Sequence, residues 1–135
     1  MKIWFGFGSE HSANLVIIGK FKDGAKASEA LSLLNDVVKI ARSEEESGRL
    51  KLGEPYKFSQ ELLDLCMAKS LPLNDNDPEE LVYEHHVKQE GEKLIVTTEE
   101  MTVGAFLKVF LNAGAKIEVY SAHEHASAYG RQTHR

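Results

Sequence analysis

Along this chain the apolar residues switch repeatedly between a spacing of two and a spacing of three to four. The order of those switches restricts the fold more than any other feature. Over residues 2–7, Ile3, Phe5 and Phe7 alternate with Lys2, Trp4 and Gly6, the period of a strand. The polar stretch SEHSAN (9–14) leads into LVIIGKF (15–21), whose β-branched residues read as a second strand. Two strands with a short polar connection predict an antiparallel hairpin. Gly19 inside the second strand marks a bulge or a close backbone approach. After Asp23 and Gly24 the period changes. Ala27, Ala30, Leu31, Leu34, Val37, Val38 and Ala41 form the apolar stripe of a long helix, which ends in SEEESG. The run Glu44-Glu45-Glu46 reads as the solvated end of that helix.

A shorter helix is expected from Ser59, an N-cap candidate, with Leu62, Leu63, Leu65, Cys66 and Met67 supplying its apolar side. Cys66 sits four residues beyond Leu62 on the same face and reads as a packing residue. The linker SLPLNDNDPEE (70–80) begins like a calcium loop at Asp75 and Asp77. However, Glu80 and His86 occupy the places where an EF-hand requires glycine and glutamate, so that reading fails. Asp77-Pro78-Glu79-Glu80 fits a capping box for one helical turn instead. A second hairpin follows, VYEHHVKQ (82–89) turning at Glu90-Gly91 into KLIVTTE (93–99). The clearest helix carries Val103, Phe106, Leu107, Phe110 and Leu111, with Thr102 as N-cap and Gly114 beyond its end. KIEVYSAH (116–123) closes the core as a strand.

The element order is β-β-α-α-β-β-α-β. Without the first strand and the second helix it resembles the split βαβ order of ferredoxin-like folds. The expectation is therefore an α+β fold, with an antiparallel sheet, helices on one face, an extra N-terminal strand and an inserted helix. One domain spans residues 1–125, and residues 126–135 form a polar C-terminal tail. Many unrelated functions share such a fold, so function has to come from particular residues.

Composition removes several classes. A chain of 135 residues with 42% apolar and 27% charged side chains is too rich for disorder and long enough for a real core. A net charge of −5 argues against nucleic-acid binding, which needs a basic face. The single cysteine, Cys66, leaves no intramolecular disulfide. The N-terminal apolar run, broken by Gly6 and Gly8, is too short for a signal peptide, and no segment reaches 18 apolar residues. A cytoplasmic protein without a membrane segment is expected.

Candidate chemistry collects at one end of the sheet. Ile117, Val119, Ser121, His123 and His125 share one face of the last strand, whereas Lys116, Glu118, Tyr120 and Glu124 share the other. Whether that strand pairs with 15–21 or with 2–7, its end falls beside Ser9-Glu10-His11-Ser12. The metal candidates are His11, His123 and His125, joined by Glu10, and such donors suit zinc or iron. The candidates for acid–base catalysis are Glu10, His11 and His123. His85, on a strand at the other edge, stands apart from this group. Gly6-Phe7-Gly8 lacks the third glycine and the helix of a nucleotide loop. Trp4 and Tyr120 are placed on the face away from the helices. The favoured function is a non-enzymatic cytosolic binding protein, using an open sheet face or edge for dimerisation or a protein partner. The alternative is a small enzyme or metal-binding protein with its site between the 9–12 loop and the end of the last strand.

Overall fold

β2 (Leu15–Lys20) is apolar at both parities, and that property places it at the centre of the sheet. In the computed structural model, which describes residues 2–3, 15–98 and 103–121, β2 pairs on one side with β4 (Lys93–Thr98) and on the other with β5 (Lys116–Ser121). Both pairings are antiparallel, setting Ile17 opposite Val96 and Val119. β3 (His86–Glu90) adds outside β4, also antiparallel. β1 (Lys2–Ile3) runs parallel to β5 at its outer edge, which gives the order β1-β5-β2-β4-β3. The chain is thus α+β, a four-stranded antiparallel sheet with one short parallel strand beside it.

The expected hairpin between the first two strands does not form. Both edges of β2 are taken by β4 and β5, so β1 meets β5 instead. Gly19 is no bulge either, since its register runs unbroken to Leu94 and Ile117. It marks a close approach: a Cβ there would lie 2.7 Å from the Phe110 ring.

Four helices lie among the described residues, and α1 (Gly24–Glu46) is the longest. Asp23 caps it by accepting the Lys26 N–H at 2.8 Å. Its buried stripe runs through Ala27, Ala30, Leu33, Leu34, Val37, Ile40 and Ala41, and ends on a charged residue, Glu44. α2 (Gln60–Lys69) begins at the expected cap, with the Ser59 hydroxyl accepting the Leu62 N–H at 3.2 Å. α3 (Asp77–Val82) and α4 (Val103–Asn112) complete the layer. Gly114, at φ +83°, ends the turn after α4 in the left-handed conformation that glycine adopts most easily.

α3 corrects two expectations. It continues to Val82, so β3 begins at His86 rather than residue 82, because fully buried Leu81 is a helix contact and not a strand residue. Its N-cap is Asn76, which makes no side-chain capping bond, so the expected box at Asp77 and Glu80 is not closed. Both carboxylates act elsewhere.

The main core lies between the helices and one sheet face. Leu15, Ile17, Leu94, Val96, Ile117 and Val119 of the sheet meet Leu34, Val37, Leu62, Leu81, Phe106 and Phe110 of the helices. Each fully buried side chain of this size contributes about 1.5–3 kcal/mol relative to exposure. Phe21 and Phe110 pack edge to face with ring centroids 5.7 Å apart. The other sheet face holds a second, small apolar cluster of Val16 and Ile95, with half-buried Ile18 against it.

Candidate functional site

The expected site at the end of the last strand falls on residues outside those described. Glu10, His11, His123 and His125 all belong there, as do Trp4 and the capping residue Thr102. The described part of the frame ends with Ser121 of β5 in register with Leu15 of β2.

The two described histidines have different surroundings. His85 is half-buried, with its Nδ1 2.9 Å from the Tyr83 carbonyl and its ring edge-on to Phe106 at 4.8 Å. Burial holds its pKa below the ordinary value. His86 is exposed and lies 3.7 Å from the Glu84 carboxylate. Among the described residues, no group of three histidine, cysteine or acidic side chains is arranged to hold a metal. No helix of the described residues is long and apolar enough to cross a membrane.

Cys66 is buried as expected. Burial, and after it the charge of Asp77, raises its pKa, so the group is held as a thiol and not as a nucleophilic thiolate.

Two buried polar groupings were not foreseen. Glu44 was expected on a solvated helix end, but it is 4% exposed. Arg49 donates through Nε at 2.9 Å and through Nη2 to one Glu44 oxygen, and Tyr56 donates to the other at 3.0 Å. The Glu44 carbonyl also accepts the Arg49 and Leu50 N–H groups, so one residue gathers the turn after α1. The Arg49 guanidinium holds the Glu44 carboxyl below its ordinary pKa, outweighing burial. The signal in the sequence was position, because Glu44 follows Ile40 and Ala41 at the spacing of the buried stripe. Glu45 and Glu46 are exposed, as expected.

The second grouping joins α3 to α4. Asp77, 3% exposed, takes the Lys108 ammonium at 2.7 Å and the Asn74 N–H at 2.7 Å on the same oxygen. Glu80 accepts the Ala105 N–H at 3.1 Å. These contacts fix the packing of two helices.

Among the described residues, two hollows lie on the helical side. One, about 360 Å³, lies between α1 and α2, with Asp36, Lys39 and Glu61 over an apolar floor of Ile40 and Leu65. The other, about 600 Å³, is acidic, with Glu54, Asp75 and Glu79 around Tyr56 and Pro55. Neither lining includes a histidine or cysteine.

The sheet face away from the helices is organised in cross-strand rows. One row sets His86, Thr97, Val16 and Tyr120 side by side. The next sets Lys88, Ile95, Ile18 and Glu118, and the last sets Glu90, Lys93, Lys20 and Lys116. Val16 is fully buried and Ile95 nearly so, while Ile18, Thr97 and Tyr120 are half-buried. Tyr120 donates to Glu118 at 2.5 Å, and Lys88 pairs with Glu90 at 3.0 Å. The face thus has a small apolar centre, buried at Val16 and Ile95, with charged residues around it.

The chain belongs to a family of unknown function, DUF6375, whose family model matches residues 1–131. No curated protein and no solved structure matches it.

Proposed function

We propose that this DUF6375 protein is a small cytosolic, non-enzymatic binding protein that uses the open face of its sheet to pair with a second copy or to hold another protein. The observation that carries this reading is the second apolar cluster, Val16, Ile95 and half-buried Ile18, on the sheet face away from the described helices. A sheet face meant only for water alternates polar residues outward. Here the two central strands present valine and isoleucine on that side, and the charged residues form a border around them. A partner meets half-buried Ile18, Thr97 and Tyr120 above Val16 and Ile95.

The frame we assign is ferredoxin-like. It is supported by the path β2-α1-β3-β4-α4-β5, by the strand order β5-β2-β4-β3, and by α2 and α3 standing as an insertion between α1 and β3. The single cysteine supports a cytosolic setting, because no intramolecular disulfide stabilises the chain.

Light scattering across a wide concentration range tests the reading. The expected result is a species of twice the chain mass that Thr97→Arg returns to monomer, since the new charge stands at the centre of the face. A wild-type chain that stays monomeric, and whose binding to co-purifying proteins is unchanged by Thr97→Arg, overturns it.

A further inference from the structure

We infer that Lys20, Lys93 and Lys116 form a docking strip for an acidic protein segment. This rests on the open face being the binding surface, and it names the chemistry of the partner. Lys20 ends β2, while Lys93 and Lys116 begin β4 and β5, and the register sets Lys20 opposite both. All three are exposed. At roughly 4.8 Å per strand step, three ammonium-bearing side chains leave the sheet within about 10 Å of one another.

Like charges directly opposite one another weaken a sheet. This chain carries five more acidic than basic groups, yet it places three lysines in one row. The carboxylates on the face are directed elsewhere. Glu90 is in register with Lys93 but binds Lys88 at 3.0 Å, and Glu118, one row away, accepts the Tyr120 hydroxyl. Among the described residues no carboxylate pairs with Lys20, Lys93 or Lys116. A row of three lysines with one carboxylate, Glu90, at its end carries net positive charge and is complementary to a negative partner.

The rest of the face specifies which negative partner. Half-buried Ile18 stands in the adjacent row over buried Ile95, so the strip borders an apolar side chain. A segment that alternates carboxylates with apolar side chains satisfies both. A phosphate group finds less here, because the backbone N–H groups around Lys20 are committed to the ladders on both sides of β2 and form no anion-binding nest there.

Fluorescence anisotropy with a labelled peptide of alternating Glu and Leu tests the strip. The comparison is wild type against Lys20→Gln/Lys93→Gln/Lys116→Gln, and against Lys39→Gln/Lys51→Gln/Lys57→Gln, which changes net charge equally on exposed residues elsewhere. The expected result is binding by wild type, about tenfold weaker in the strip variant, and nearly unchanged in the control. The strip variant should melt no lower than wild type at low salt, which excludes unfolding as the cause of the loss. Equal loss in both variants, no binding by wild type, or preference for a thymidine oligonucleotide over the peptide overturns the proposal. Thr97→Arg separates the two readings. Peptide binding lost in that variant but kept in the strip variant removes the strip and leaves the open-face function standing. Binding unaffected by either removes both.

Discussion

Glu80 of α3 accepts a hydrogen bond from the backbone N–H of Ala105 at 3.1 Å, so a carboxylate from one helix serves the first turn of another. The first N–H groups of a helix have no partner within it, and an oxygen supplied from outside replaces the missing acceptor. Glu80→Ala is expected to cost about 1 kcal/mol in urea unfolding, the usual worth of such a contact. Glu80→Gln, which keeps a carbonyl oxygen in place, should retain most of the stability. Burial raises the Glu80 carboxyl above its ordinary 4.5, so just above that pH the native state holds a proton that the unfolded chain has released. Stability contributed by this group therefore falls as pH rises from 4.5 through its native pKa. The glutamine variant should lack that slope, and a wild-type profile of equal slope in this window would refute the assignment.

Glu44 has the opposite sign. Its carboxyl lies below 4.5 because Arg49 bonds it, so its contribution is complete above that pH and is lost as pH falls through its lower native value. Glu44→Gln should cost about 1.5–3 kcal/mol at neutral pH, the worth of hydrogen bonds to a charged group. The lower part of that range is favoured, since the Arg49 side chain is 63% exposed. The variant should also lose less stability than wild type on acidification below 4.5. Urea titrations at neutral and acid pH measure both effects.

These two carboxylates show what was legible in the sequence and what was not. The helix beginning at Ser59, the turn at Gly114 and most of the stripe of α1 follow from local spacing and local caps, although in that stripe Leu33 and Ile40 are buried where Leu31 and Val38 were expected and are half-buried. The partners of Glu44 and Glu80 lie 5, 12 and 25 positions away. No periodicity encodes which carboxylate a distant backbone will meet. For the same reason Asp77 and Glu80 looked like a local capping box, whereas tertiary packing turned them toward Lys108 and Ala105. The strand order failed at one point, where adjacency in sequence predicted a hairpin and the two-sided apolar character of β2 decided otherwise. Of the candidate site, the residues of the open face could be assigned by parity, but their rows required the register. The Glu10, His11, His123 and His125 group lies outside the described residues.

Cys66 offers a direct probe of native packing. Buried, with its pKa raised by burial and by Asp77, it should react with a disulfide reagent only through opening of the fold. Its labelling rate should rise with urea in parallel with the unfolded population. Rapid stoichiometric labelling of the native protein would contradict its position.

Gly19 and Phe110 make the sharpest test of how the helices sit on the sheet. A Cβ at residue 19 meets the Phe110 ring at 2.7 Å, a distance that real Cβ atoms do not tolerate, and that ring is fully buried. Gly19→Ala should therefore cost about 1–3 kcal/mol despite placing a better strand former in β2. Phe110→Leu alone should cost a comparable amount, because it leaves a void where the ring stood. Combined, the two changes partly compensate, since the smaller side chain frees the space that the new methyl group needs. The double-mutant cycle is expected to show coupling of about 1 kcal/mol or more in the favourable direction. Strict additivity would mean that α4 shifts away from the sheet in Gly19→Ala, and that its position is not set by this contact.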